Sequence, residues 1–211
     1  MTEMTTRDHI VEAADELFYQ RGYEHTSFSD VAAVVQISRG NFYYHFKTKD
    51  EILDAVIQLR LDNTRKMLEK WEAEGETPID RIRSYIHIVI TNRAKIERFG
   101  CPVGTLCTEL AKLNLASQAD ANELFTLFRT WLRRQFELLG RKADADRLAM
   151  HVLAWSQGVA TLANAFRDET FVRQEVQQIC DWLDACAGGA GKNKKSNSRH
   201  RSEKTDVRRA P

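Results

Sequence analysis

Residues 38–49 read SRGNFYYHFKTK, a run in which most side chains either hydrogen-bond or carry charge. Arg39 offers a planar fork of donors that suits two adjacent acceptors, as on the exposed edge of a guanine. Asn41 offers one donor beside one acceptor, the complement of an adenine edge. Gly40, next to both, leaves no side chain to hold a backbone away from such a surface. Tyr43, Tyr44, His45 and Lys49 can donate to phosphate oxygens, and Thr26 upstream can do the same from the start of a preceding helix. Singly, each has a plainer reading: a solvated arginine, tyrosines that cover a core. Taken together and in order, these residues point to a nucleic-acid surface.

A second chemical feature is Phe99-Gly100-Cys101-Pro102-Val103-Gly104-Thr105-Leu106. Proline favours the first helical position, so Cys101 is expected at the N-cap, where free amides and the helix dipole favour a thiolate. Such a thiol could attack electrophiles or be oxidised. The plainer reading is a small half-buried residue at a helix start. Cys107 lies six residues on, about 240 degrees around the helix, and cannot pair with Cys101 while that helix is intact. Cys180 and Cys186 read as packing residues.

These residues need rigid supports, and the chain supplies helices. Only three prolines occur in 211 residues, and no run of alternating β-branched residues reads as a strand. Ile10, Ala13, Ala14, Leu17 and Phe18 give a first helix one apolar stripe, ended by Gly22. A second begins at Thr26 or Ser27 and turns Phe28, Val31, Ala32 and Val35 inward. Ser38 caps the third. On it Phe42 and Phe46 lie about 40 degrees apart, so both rings anchor one side while Gly40, Asn41, Tyr43 and Tyr44 spread over the other. Two short helices joined by a turn of about three residues, with the first helix across both, form a helix-turn-helix. In that unit the second helix of the pair enters the major groove of DNA.

Thr48 with Glu51 forms a capping box that opens a helix from Lys49 to about Trp71. Thr77, Pro78 and Asp80 open one expected to run to Arg98 or Phe99, closed by Gly100. Further helices are expected from Cys101–Pro102 to about Leu115, from Ser117 to about Gly140, from Asp144 to Arg167 and from Phe171 to Ala187, about nine in all. The fold class is all-α. The expected organisation is a helix-turn-helix domain over 1–48, a helical effector-binding and dimerisation domain over 49–187, and a tail over 188–211.

That tail carries eight Lys or Arg against Glu203 and Asp206, which leaves 23 basic against 28 acidic groups in the rest. With almost nothing apolar to bury it is expected to be disordered. Nucleic-acid binding by the body therefore has to rest on local surface and not on bulk charge. No apolar run approaches the length of a membrane span and the first residues lack a signal-peptide pattern, so a cytoplasmic protein without membrane contact is expected. No metal-ligand spacing, nucleophile elbow or phosphate loop occurs, so neither a cofactor nor an enzymatic activity is expected.

Thr26, Val31-Ala32 and the run from Ile37 to Lys49 with Leu53 resemble the DNA-binding domain of the tetracycline-repressor (TetR) family of bacterial regulators, whose pattern ends L/F-Y-x-H-F-x-x-K. The likeness covers about residues 6–55. It implies a homodimer on double-stranded operator DNA, with an all-helical C-terminal half that takes a small-molecule inducer and then releases the DNA. It further implies phosphate contacts for Thr26, Tyr43, His45 and Lys49 and base reading by Arg39, Asn41 and Tyr44; Ser38 and Gly40 complete the DNA-facing set. One departure is Gln36, where the family often has glycine. The segment around Cys101 is similar to G-C-x-V-G-x-L in members that respond to electrophiles or small unsaturated acids.

In the larger half, Leu124, Phe125, Phe128, Trp131, Leu132, Phe136 and Leu139 form one stripe, with Leu127 and Leu138 outside it, while the next helix carries Ala154, Gly158 and Ala160 to Ala163. These two helices are expected to pair with their copies as a four-helix contact, which sets two recognition helices about 34–36 Å apart. Cys101, His87, Phe99, Phe125, His151 and Trp155 are candidates to line an effector chamber, against the alternative that they pack the core. Other functions open to such a sequence are a structural DNA-binding protein without effector and an all-helical enzyme.

Overall fold

Thr5 caps α1 (Thr6–Arg21) through a reciprocal bond with Asp8, and the helix buries Ile10, Val11, Ala14, Leu17 and Phe18 before Gly22 ends it at φ +90. In this computed structural model, which describes residues 4–202 with side chains through residue 188, the remaining elements follow the same capping logic. Ser27 and Asp30 box α2 (Phe28–Val35), Ser38 caps α3 (Arg39–His45), and Thr48 caps the 26-residue α4 (Lys49–Glu74). Thr77, Pro78 and Asp80 open α5 (Pro78–Thr91).

The helix expected from Pro78 to Phe99 is two helices. Asn92, at φ −99 and ψ 12, ends α5 and starts α6 (Arg93–Phe99). Its N–H reaches the Ile88 carbonyl at 2.9 Å and its own carbonyl accepts from Lys95 and Ile96. Then come α7 (Pro102–Leu113), α8 (Gln118–Leu138), α9 (Ala145–Phe166) and α10 (Glu169–Ser202), so the described residues hold ten helices and no strand. Residues 203–211 of the basic tail lie outside the described residues, and from residue 189 only the backbone of α10 is described.

Two apolar cores share the chain. The first joins α1, α2 and α3 to the first half of α4, as far as Leu61, and continues into Leu106 and Leu110 of α7 and Leu124 of α8. The second packs α5, α8, α9 and α10 around Ile82, Ile86, Leu132, Phe136, Val152 and Leu183. The 48/49 border expected between domains thus falls inside a continuous core, because α4 serves both. The stripe on α8 is spent inward: Leu124, Phe128, Trp131, Leu132 and Phe136 are all buried. On α9, by contrast, Met150, Ala154, Gly158, Leu162 and Phe166 stand four residues apart and all are exposed, Phe166 at 73%.

Candidate nucleic-acid interface and effector chamber

Phe42 and Phe46 are each 1% exposed, whereas Tyr43 is 47% and Tyr44 78% exposed. Phe42 packs on Phe28 at 5.1 Å between ring centroids, and the Arg7 guanidinium lies 4.8 Å over the Phe46 ring. Phe46 does this from extended backbone, one residue past the end of α3. Burying two such rings stabilises the unit by roughly 1.5–3 kcal/mol each. With both anchors inward, Arg39, Gly40, Asn41, Tyr43 and Tyr44 are left exposed. Arg39 rests on Ser29 of α2 at 3.3 Å, and Ser38 accepts the Asn41 N–H at 3.3 Å. A Cβ built on Gly40 meets nothing within 4 Å, so the protein's own packing does not require glycine there.

Two residues expected at phosphates are engaged within the protein. Thr26 is 1% exposed and its hydroxyl donates to the Gly22 carbonyl at 2.8 Å; it locks the turn between α1 and α2. Lys49 is half-buried, with its ammonium 3.2 Å from the Glu24 carbonyl and 4.2 Å over the Tyr23 ring, so it pins α4 to that turn. Burial lowers its pKa, and Glu109, Glu24 and Asp50 oppose that shift. His45 is half-buried and edge-on to Tyr44 at 5.2 Å. Lys47, which the sequence reading left out of the site, is an exposed cation beside α3 whose ammonium donates to the Tyr43 carbonyl. The turn residue Gln36 does take the left-handed conformation, φ 59 and ψ 40, as C-cap of α2, and Ile37 N–H bonds Ala32 O beside it. For a residue with a Cβ this costs on the order of 1 kcal/mol.

In the larger half a cavity of about 70 Å³ opens between α5, α6, α8, α9 and the start of α7. Of the six candidate liners it brings together Cys101 and Phe125. The rest of its wall includes Tyr85, Ile88, Val103, Phe128, Ser156, Gln157 and Ala160. The Tyr85 hydroxyl and Ser156 Oγ lie 2.8 Å apart, and Ser156 donates to Leu153 O at 2.8 Å. The other four candidates face elsewhere. His87 is exposed, with Nδ1 2.8 Å from Arg83 O; His151 is exposed and stacks on Trp182 at 4.6 Å. Phe99 packs edge-on to Tyr19 at 5.5 Å, and Trp155 Nε1 donates to Glu175 at 3.3 Å. Next to this cavity, sharing Ile88, Asn92, Pro102, Val103 and Phe128 with it, is an outer pocket of about 310 Å³ that reaches α1 and α4.

Residues 10–56 match the model of bacterial regulatory proteins of the tetR family, and residues 78–178 match the C-terminal domain of LmrA/YxaF-like transcriptional regulators. An uncharacterized HTH-type transcriptional regulator from Lactococcus lactis is 31% identical over 171 residues, 77% of this chain and 85% of the relative. The chain belongs to the TetR family. Among other relatives, the transcriptional repressor DhaR of Mycobacterium sp. strain GP1 is 28% identical over 134 residues, 63% of this chain and 65% of DhaR. A TetR regulator from Legionella pneumophila has the same fold, with a TM-score of 0.76, 24% identity and coverage of 86% of this chain and 98% of that one.

In this TetR-family chain the segment between α6 and α7 joins the chamber to the DNA-facing unit. Cys101 N-caps α7 as expected, its Sγ accepting the Gly104 N–H at 3.5 Å, and it is half-buried. On one side of it the Gly100 carbonyl accepts from Tyr19 of α1 at 2.8 Å; on the other the Pro102 carbonyl accepts from Arg60 of α4 at 2.6 Å. Arg60 is itself held by Asp15 of α1 at 2.5 Å. Two turns along α7, the Glu109 carboxylate accepts the backbone N–H groups of Tyr23 and Glu24, both at 2.9 Å. Cys107 is buried, bonds Ala121 O at 3.5 Å, and burial pushes its thiol up to about 11. No helix among the described residues is long and apolar enough to cross a membrane.

Proposed function

We propose that this protein is a ligand-controlled repressor that binds a palindromic operator as a homodimer and leaves it when a small molecule occupies the chamber. The observation that carries the reading is the exposure pattern of α3: two rings seal one side while Arg39, Gly40, Asn41, Tyr43 and Tyr44 stay in solvent. On such a helix Arg39 and Asn41 read base edges, and Tyr43, His45 and Lys47 hold phosphates. The exposed α9 ridge from Met150 to Phe166 supports pairing with a second copy, helped by Leu127 and Leu138 of α8; ridges of this spacing pack at about 50°. Release follows from population shift: a ligand that binds better when residues 100–102 are displaced favours the arrangement in which Tyr19 and Arg60 have lost their carbonyl partners.

Titration of the full-length protein against DNA fragments by gel shift tests this. Repression needs tight, palindrome-specific binding that weakens steeply with salt, and Tyr43→Ala should weaken specific and non-specific binding together. Sequence-indifferent binding would favour a structural DNA-binding protein and overturn the repressor reading.

A further inference from the structure

The wall of the chamber contains no Asp, Glu, Lys, Arg or His among the described residues. A carboxylate or ammonium buried there would give up its water without gaining a counter-ion. The charges of the outer pocket are already engaged, Arg60 with Asp15 at 2.5 Å and Lys95 with Glu16 at 3.1 Å. The polar atoms inside are neutral and arranged in series. Ser156 spends its proton on Leu153 O, so it accepts from Tyr85, and the Tyr85 oxygen keeps a lone pair for a further donor. Burial pushes the Tyr85 phenol up, which keeps it neutral.

Resting on the reading of this chamber as the effector site, we propose that the effector is an uncharged, mostly apolar molecule of about ring size, bound with one hydroxyl or N–H group on the Tyr85 oxygen. The apolar part lies against Ile88, Val103, Phe125 and Phe128. A space of about 70 Å³ holds only part of such a ring, and the rest, reaching toward the outer pocket, would press on Pro102, whose carbonyl Arg60 holds. Cationic amines meet no counter-charge here, and carboxylic acids ionised at neutral pH meet only the amides at the start of α7, where the Gly104 N–H is already taken by Cys101 Sγ.

Benzyl alcohol, benzoate and benzylammonium share one ring and one short polar arm and differ in charge, so they separate this from its rivals. Calorimetric titration of the full-length protein at pH 7 should show the alcohol binding at least tenfold more tightly than either ion. Ala160→Phe should abolish binding by filling the space, with Val103→Phe as the second filling variant if the first does not fold. Tyr85→Phe should weaken the alcohol severalfold; unchanged affinity would remove the Tyr85 contact. Should an ion bind within tenfold of the alcohol, and lose that binding in the filled variants, the chamber would stand as the site and the neutral-ligand inference would fall. Alcohol binding that survives filling would instead overturn the chamber as the effector site. Failure of all three probes at millimolar concentration would overturn the proposed ligand class.

Discussion

Gly40 does nothing for the interior of the free protein, since the position of its missing Cβ is open space. Gly40→Ala should therefore raise the unfolding free energy by about 0.5 kcal/mol while it weakens operator binding; thermal unfolding and fluorescence anisotropy on DNA check the two halves, and unchanged DNA affinity would count against close approach at this residue. A mild electrophile should label Cys101 before the other cysteines, because Cys107 and Cys180 are buried and burial raises the thiol pKa of Cys107, Cys180 and Cys186; peptide mass spectrometry reads the order. The α3 surface was legible in the sequence because Phe42 fixes the phase of the helix and every other side follows. Thr26 was not, since a threonine before a helix looks the same whether its hydroxyl faces solvent or a carbonyl four residues back. Tyr85 and Ser156 were also hidden, because their role comes from facing each other across two helices 71 residues apart.

At the scale of elements, capping residues announce most helix starts, as Ser27, Ser38, Thr48, Thr77 and Cys101 do here. The break at Asn92 carries no proline or glycine, and its effect becomes visible only where α6 turns toward α1. The aromatic candidates His151 and Trp155 sit at helical spacing but on outward or packed faces, which periodicity alone does not separate. The junction between α6 and α7 owes its importance to main-chain carbonyls, which a sequence does not advertise. Tyr19→Phe removes only the hydroxyl bonded to Gly100 O, so it should cost about 1 kcal/mol of stability and leave operator affinity without ligand close to that of the parent. The ligand concentration needed for release should shift; an unaltered release curve in the same anisotropy assay would take Tyr19 out of the coupling.

For the whole molecule the decisive surface is α9. Gly158 lies in the middle of the exposed ridge and its missing Cβ would meet nothing in its own protomer. Gly158→Arg should thus leave the protomer folded, yield monomers by analytical ultracentrifugation, and reduce operator affinity by orders of magnitude, since each half-site would then be bound alone. A dimer that persists would place the interface elsewhere. The exposure of Ala154 and Gly158 fits the small-residue surface expected from the sequence, whereas the inward use of the α8 stripe was not legible, because apolar residues on a helix do not say which neighbour they will meet. The length of α4 adds something further. Its 26 residues make an unbroken rod of about 39 Å, buried at one end beside α3 and at the other beside α5. Rotating that rod by about 5° at its inner end swings the outer end by about 3 Å, roughly the rise of one base pair. In the symmetric pair proposed above the two swings would add, and a modest tilt of α4 would put one reading head out of step with the other.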